Sequence, residues 1–389
     1  MALKEYFEFH DRTKVIFGVD TLEQAGREAA RLGGTRALVV TDGIIRGLGF
    51  ADAAAKSLMD AGVEVARIFD EVPQDSGVEM IQSLYEELKE QGGADVTVAV
   101  GGGSVLDTAK LVNLLLSEGG DLMKDHQGAY LQARPLKPLI AAPTTAGTGS
   151  EVTFAAVAKD HANHVKVGFV SHYFAPDVAL LDPKLTLSMP PGVTAATGMD
   201  ALTHALESLV SSESEPVAEA LACGAIRQIN TWLPVAVADG GNIEARGEML
   251  IASMVAGLAF TNTFVGIVHA IAHSMGGVAG VPHGLANSLI LPYGMEFNID
   301  FCADKYALAA YSMGVAPGGD ERADEEAAIA KVRELIGKIG LPVRLSEAGV
   351  AEDQLEEIAM AAMGDGALFT NPRFPEDHTE VLELLKKAF

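Results

Sequence analysis

Hydrophobic and polar positions change their rhythm about halfway along the chain. Residues 36–42 (RALVVTD) form a short apolar run ending at an acid, and residues 62–72 (GVEVARIFDEV) alternate; both patterns predict β-strands. Between them, FADAAAKSLMDAG (50–62) has helical spacing and a glycine stop, and VEMIQSLYEELKEQGG (78–93) predicts a second helix with a Gly-Gly end. ADVTVAVGGGS (94–104) and KPLIAAPTTAGTGSE (137–151) each predict a strand running into a glycine-rich turn. Strands alternating with helices imply a parallel or mixed sheet with right-handed crossovers. After DPKLTLSMPP (182–191) strand-like runs largely vanish and Ala-rich helical patterns continue to the end. Near that end PGGDERADEEAAIAKVRELIGKIG (317–340) predicts a polar loop and then a surface helix. The expected organisation is an α/β domain over residues 1–185 and a helical domain over 186–389.

Composition narrows the function classes. A chain of 389 residues, 49% apolar and 21% charged, can build two domains, each with its own core. The formal net charge of −25 argues against nucleic acid as a partner, because the phosphate backbone rewards clustered Lys and Arg. Cys223 and Cys302 have no short spacing, so no disulfide framework is expected and a reducing cytoplasm fits. The N-terminal MALKEYFEFHDRTKVIFG has no apolar core of signal-peptide type, and no stretch reads as a lipid-facing span, so no membrane partner is expected. The most apolar region, roughly 251–291, carries His269, His273, His283 and several glycines and is expected to be buried helix and turn.

Two glycine-rich turns carry candidate chemistry. GGGSVLDTAK (Gly101–Lys110) follows a predicted strand and opens a helix, whose unpaired N–H groups can hold a phosphate without any basic side chain. Its spacing is not G-x-G-x-x-G, so an ordinary strand-to-helix turn is the competing reading. PTTAGTGSE (143–151) offers the hydroxyls of Thr144, Thr145, Thr148 and Ser150 beside Gly147 and Gly149. Two such turns on one sheet predict a shared crevice at the strands' carboxyl ends. Asp42 closes a third strand, where an acid can accept from ribose hydroxyls and repel a 2′-phosphate, which favours NAD over NADP; a helix N-cap is the alternative.

The second half holds a different constellation. In GMDALTHALE, Asp200 and His204 are four residues apart on one helical face. VHAIAHSMGG repeats the spacing with His269 and His273, and His283 follows a Gly-rich turn. A buried acid among histidines is costly unless it is paired or binds a metal, and one Asp with three His suits Zn²⁺ or Fe²⁺ better than Ca²⁺ or Mg²⁺. Spacing alone leaves open which three of His204, His269, His273 and His283 join Asp200.

Together GGGSVLDTAK, PTTAGTGSE, GMDALTHALE, VHAIAHSMGG, VPHGLANSLILPYGMEFN and the late NPR (371–373) resemble the iron-containing (group III) alcohol dehydrogenases over nearly the whole chain. The resemblance implies a Rossmann-like N-terminal domain, an all-α C-terminal domain, and an active site in the cleft between them. It implies that Asp200, His204, His269 and His283 hold iron or alternatively zinc, with His273 a catalytic histidine near the nicotinamide. It also implies that Gly101, Gly102, Gly103 and Ser104 hold the pyrophosphate, Asp42 the adenosine ribose, Thr144, Thr145 and Lys166 the cofactor cleft, and Asp107 the nicotinamide ribose. A homo-oligomer acting on a small alcohol or aldehyde is expected. The chain departs from the family pattern at Tyr293, where many relatives have His, in DGALFTNPR, which lacks a cysteine some carry, and at bulky Phe264. Phe154, Phe260, Phe264 and Val265 are the expected substrate-pocket residues. Two other readings stay open: a hydroxyacid-oxoacid transhydrogenase of the same fold, and a nucleotide-binding regulatory protein with a closed structural metal site.

Overall fold

The computed structural model describes residues 6–161, 165–316, 318 and 321–389. The polar loop expected at 317–320 lies, apart from Gly318, outside the described residues, as do the first five residues of the N-terminal segment. The chain divides into two compact units. His10–Thr145 with Gly149–Ser188 make the first, and Met189–Phe389 with Ala146–Thr148 supply most of the second.

The first unit is built on a sheet of six parallel strands. In chain order the unit's strands are β1 (Lys14–Phe17), β2 (Arg36–Val40), β3 (Glu64–Phe69), β4 (Val96–Gly101), β5 (Gly128–Ala129), β6 (Leu139–Pro143), β7 (Ala155–Asp160), β8 (Val165–Val170) and β9 (Val178–Leu181). The large sheet has the order β1-β9-β6-β4-β2-β3, and β5-β8-β7 form a small second sheet in which β7 and β8 are antiparallel. Alternation explains why β2 is apolar on both faces after Arg36. Leu38 and Val40 enter the core on one face, while Ala37 and Val39 enter the core on the other. Strand order reverses between β3, on one side of β2, and β4, on the other, so the carboxyl ends of β2 and β4 flank a topological switch point.

The predicted elements of this unit form close to their expected bounds, as helices Phe50–Asp60 and Val78–Glu90 and strands β2, β3, β4 and β6. Gly62, Gly92 and Gly93 stop the two helices at φ values of 81°, 93° and 72°, a region that favours glycine.

The second unit contains no strand among its described residues. Its helix Pro191–Val210 starts with proline at its first position, where no intrahelical N–H bond is lost. Helices Pro216–Ala238, Ile243–Thr263, Ile267–Val278 and His283–Asn298 pack with it into one apolar core rich in alanine. The expected surface helix is Glu321–Ile339, which buries Ala328, Val332, Leu335 and Ile339 at helical spacing. No single helix among the described residues is long and apolar enough to cross a membrane. Only Ile243–Thr263 and Ile267–Val278 taken together reach that test, and they are bent by 102° from each other.

One close approach fixes how helix His283–Asn298 meets helix Pro191–Val210. A Cβ on Gly284 would lie 2.4 Å from the Ala196 carbonyl oxygen, a backbone atom that cannot swing aside. We expect Gly284→Ala to cost about 1–3 kcal/mol, as overpacking does. Denaturant unfolding checks this: the midpoint should fall with the slope unchanged. An unaltered midpoint would show that the two helices have room to part.

Candidate functional site

In the helical unit Asp200 and His204 sit on helix Pro191–Val210, His269 on Ile267–Val278, and His283 at the first position of His283–Asn298. One ligand atom each from Asp200, His269 and His283 lies within 4.8 Å of the other two. Asp200 Oδ1 is 3.4 Å from His283 Nε2 and 3.8 Å from His269 Nε2. The His204 ring stacks on that of His269 with centroids 4.5 Å apart, but its nitrogens stand outside this group. Phe260 covers the other face of His204 at 4.1 Å.

The electrostatics follow from burial. Burial drives the His269 pKa well below its usual value, helped by the neighbouring His204, and burial also lowers that of His204. Burial pushes the Asp200 carboxyl upward, but His204, His283 and His269 together hold it below the usual range. Glu207 Oε2 accepts from His269 Nδ1 at 2.5 Å, which leaves the His269 Nε2 lone pair directed at the cluster. A charged, buried carboxylate facing imidazoles, of which burial keeps His269 and His204 neutral, is the donor set that a divalent transition-metal ion satisfies. The residues present therefore fit a metal.

His273 lies beside this group. Its ring stacks on His283 with centroids 5.3 Å apart, and its Nδ1 bonds Asp365 Oδ2 at 2.8 Å. Phe264 follows helix Ile243–Thr263 with φ 60° and is partly exposed, and Val265 fixes Thr370 by accepting from its hydroxyl at 2.6 Å.

In the α/β unit, β6, β4 and β2 are neighbours, so their carboxyl ends stand in a row. Gly101 pairs with Pro143, and the Thr144 N–H donates to the Gly101 carbonyl at 3.0 Å, placing the two glycine-rich turns side by side. Helix Gly103–Glu118 begins there with no side-chain cap, leaving the first N–H groups near Gly103 and Ser104 for a ligand. A Cβ on Gly102 would come within 3.3 Å of Thr145.

The other cofactor candidates are engaged in this unit. Asp42 caps helix Gly43–Gly47 through Oδ1, which accepts from Ile44 and Ile45 at 2.9 Å. Lys166 pairs with Asp75 at 2.9 Å, and the Asp75 N–H donates to Ser104 Oγ. Asp107 accepts from Ser150 at 2.7 Å and from the Val157 N–H at 3.0 Å, tying the second turn to the first. Phe154 is buried in this unit at the edge of the His172 ring, 4.7 Å away, whereas Phe260, Phe264 and Val265 belong to the helical unit.

Four functional residues carry no ligand signature in the sequence. Glu207 orients His269, Asp365 orients His273, and Asn287 reaches Asp200 at 2.7 Å. Asn371, from the NPR segment, accepts from the Ile267 N–H at 3.1 Å, at the start of the helix that carries His269. Glu207 had one available signal: it lies seven residues after Asp200, on the same helical face.

Known proteins share this chain's sequence pattern and fold. Residues 12–183 match the family described as iron-containing alcohol dehydrogenase, and residues 194–389 match its C-terminal counterpart. The chain is 40% identical to the 1,3-propanediol dehydrogenase of Klebsiella pneumoniae, over 96% of both chains. It is 36% identical to the NAD-dependent methanol dehydrogenase of Bacillus methanolicus, over 96% of this chain and 97% of that one. A solved 1,3-propanediol oxidoreductase superposes with a TM-score of 0.95 at 37% identity, covering 99% of this chain and 100% of the other.

The second glycine-rich turn contains a titration that can be isolated. Burial pushes Glu151 up to about 7 and Lys110 down to about 8. A carboxyl raised on folding contributes stability below its unfolded pKa, near 4.5, and that contribution is lost as pH rises through about 7. Glu151→Gln should remove a decline on the order of 2–3 kcal/mol over that window. Unfolding free energies of parent and variant between pH 4.5 and 7.5 check it; parallel curves would refute it.

Proposed function

Because this chain belongs to the iron-containing alcohol dehydrogenase family, oxidoreductases acting on CH–OH groups, we propose that it interconverts small alcohols with aldehydes or ketones using NAD and a divalent cation. The observation that carries this reading is the convergence of buried Asp200, buried His269 and half-buried His283 on one point. His204, stacked on His269, is the fourth ligand in this proposal. Iron is the proposed resident cation; an N₃O donor set also accepts zinc.

When bound, the cation supplies Lewis acidity that lowers a hydroxyl pKa, as it lowers that of water from about 16 to about 7, and the nicotinamide supplies the hydride acceptor. The protein's residues do the rest. Glu207 holds the His269 ring so that its Nε2 faces inward. Asp365 takes the Nδ1 side of His273, leaving His273 Nε2 to receive the substrate's hydroxyl proton and pass it to water. Phe260, Phe264 and Val265 line the substrate side of the helical unit, and Phe154 is a candidate from the α/β unit.

For the cofactor, backbone N–H groups at Gly102, Gly103 and Ser104 hold the pyrophosphate, with Gly101 permitting the turn and Thr144, Thr145 and Lys166 alongside. Asp107 acts through Ser150 and Val157, to which it is bonded. Asp42 spends one oxygen on its helix cap and offers the other to the adenosine ribose. We further propose a cytoplasmic homo-oligomer. Free Cys223 and Cys302 suit a reducing compartment, and β1 is an edge strand that exposes Val15 and Phe17.

Metal analysis with an alcohol panel tests the central reading. His269→Ala should lose bound metal and NAD⁺-linked turnover together, by at least about a hundredfold, as loss of a ligand or its support does. Full turnover in metal-free protein would sink it. Asp42→Asn retains an oxygen for the cap and removes the charge. It should shift the NADP/NAD ratio of kcat/KM upward by about tenfold, the equivalent of one charge contact. An unchanged ratio would remove Asp42 from the cofactor site.

A further inference from the structure

Asn287 stands one helical turn after His283 and is fully buried. Its Nδ2 donates to Asp200 Oδ1 at 2.7 Å and lies 3.2 Å from His269 Nε2 and 3.3 Å from His283 Nε2. These are the same three atoms that form the candidate metal group. The orientation of the amide is fixed by its neighbours. A carboxylate oxygen can only accept, and His269 Nε2 is left with a lone pair because its Nδ1 faces Glu207. The group turned inward must therefore be the NH₂. Asn287 Oδ1 points away from the cluster and has no hydrogen-bond partner among the described residues.

We propose that Asn287 is a placeholder for the cation: in the metal-free protein one of its two amide hydrogens goes to Asp200 Oδ1 and the other is shared between His269 Nε2 and His283 Nε2, and this shared hydrogen must be withdrawn from both imidazoles when a metal binds. This rests on the ligand assignment made above. The competition follows from electron pairs. In the tautomer that can bind a metal, each imidazole Nε2 has one lone pair, which cannot serve an N–H and a cation together. Asp200 Oδ1 has more than one, so its bond to Asn287 can persist. The amide therefore stabilises the metal-free state selectively. Without it, three acceptors would face one another across less than 4.8 Å with nothing between them. Asn287 keeps the ligands assembled before loading and weakens the final affinity.

The direction of this effect separates it from ordinary packing. Removing a residue that merely supports the site weakens metal binding, whereas removing a competitor tightens it. The full chain, stripped with a chelator, is titrated with Zn²⁺ against a competing chelator of known affinity, and thermal unfolding is followed with and without Zn²⁺. Asn287→Ala should bind Zn²⁺ on the order of five- to tenfold more tightly, the loss of one hydrogen bond from the competing state. Its Tm should fall in the metal-free form and change less in the loaded form. Should that variant not fold, Asn287→Ser, which is too short to reach the cluster, is read in the same way. If the parent itself takes up no Zn²⁺, the ligand assignment fails and the placeholder with it. If the parent binds and the variants bind equally or more weakly, or lose the same Tm in both states, the placeholder alone is overturned.

Discussion

A single buried carboxylate sets the terms for the helical unit. Asp200 is 3% exposed, and three imidazoles surround it. Burying an isolated charge costs many kcal/mol, so the site persists only if opposite charge or hydrogen-bond donors reach it. Partners come from three helices: His204 from its own, His269 from the second, His283 and Asn287 from the third. The packing of those helices, including the glycine contact at Gly284, is thereby tied to the chemistry. A change that parts the helices leaves an uncompensated charge, and a change that neutralises Asp200 removes the reason for the imidazoles to converge.

The α/β unit meets the opposite problem with the opposite means. The chain carries a net charge of −25, yet the dinucleotide proposed for it brings an anionic pyrophosphate. Basic side chains contribute little at the turns: Lys166 is paired to Asp75, and Lys110 is buried against Thr153 and the Ala155 carbonyl. Attraction has to come from backbone dipoles at the start of helix Gly103–Glu118, which need no mobile side chain. The parallel sheet supplies the geometry, because adjacent strands β4 and β6 deliver both turns at the same level.

Much of this was legible in the sequence, and the limit falls at a physical boundary. Local spacing revealed the strands that end in glycine turns, the amphipathic helices, and the face shared by Asp200 and His204. Where spacing left the histidines open, the family resemblance named Asp200, His204, His269 and His283, and the fold brings ligand atoms of Asp200, His269 and His283 together. What stayed hidden was every partner that acts across a long loop: Glu207 for His269, Asp365 for His273, Asn287 for Asp200, Asn371 for the Ile267 N–H. Their side chains look like ordinary polar residues until the fold closes contacts of 62 to 104 residues in sequence separation, or 87 for Asn287. Asp42 shows a second limit. Its pattern offered a cap and a ribose contact as alternatives, whereas a carboxylate has two oxygens and the cap occupies only one of them.

The bend between helices Ile243–Thr263 and Ile267–Val278 shows why these hidden partners matter. A turn of 102° in an apolar segment exposes backbone N–H groups inside the core, where water cannot satisfy them. Two side chains do so. Glu207 Oε1 accepts from the Val268 N–H at 2.7 Å, and Asn371 Oδ1 accepts from Ile267 at 3.1 Å. Asn371 is in turn locked by reciprocal bonds with Asn298, at 2.7 and 3.0 Å. Gly266 makes room for both: a Cβ there would fall 2.5 Å from Asn371 Oδ1 and 3.0 Å from Glu207 Oε1. Because the other oxygen of Glu207 holds His269, one carboxylate both caps the helix and aims its histidine. The bend is thus part of the candidate metal centre: straightening it would free the cap and turn the imidazole away from Asp200 in one step.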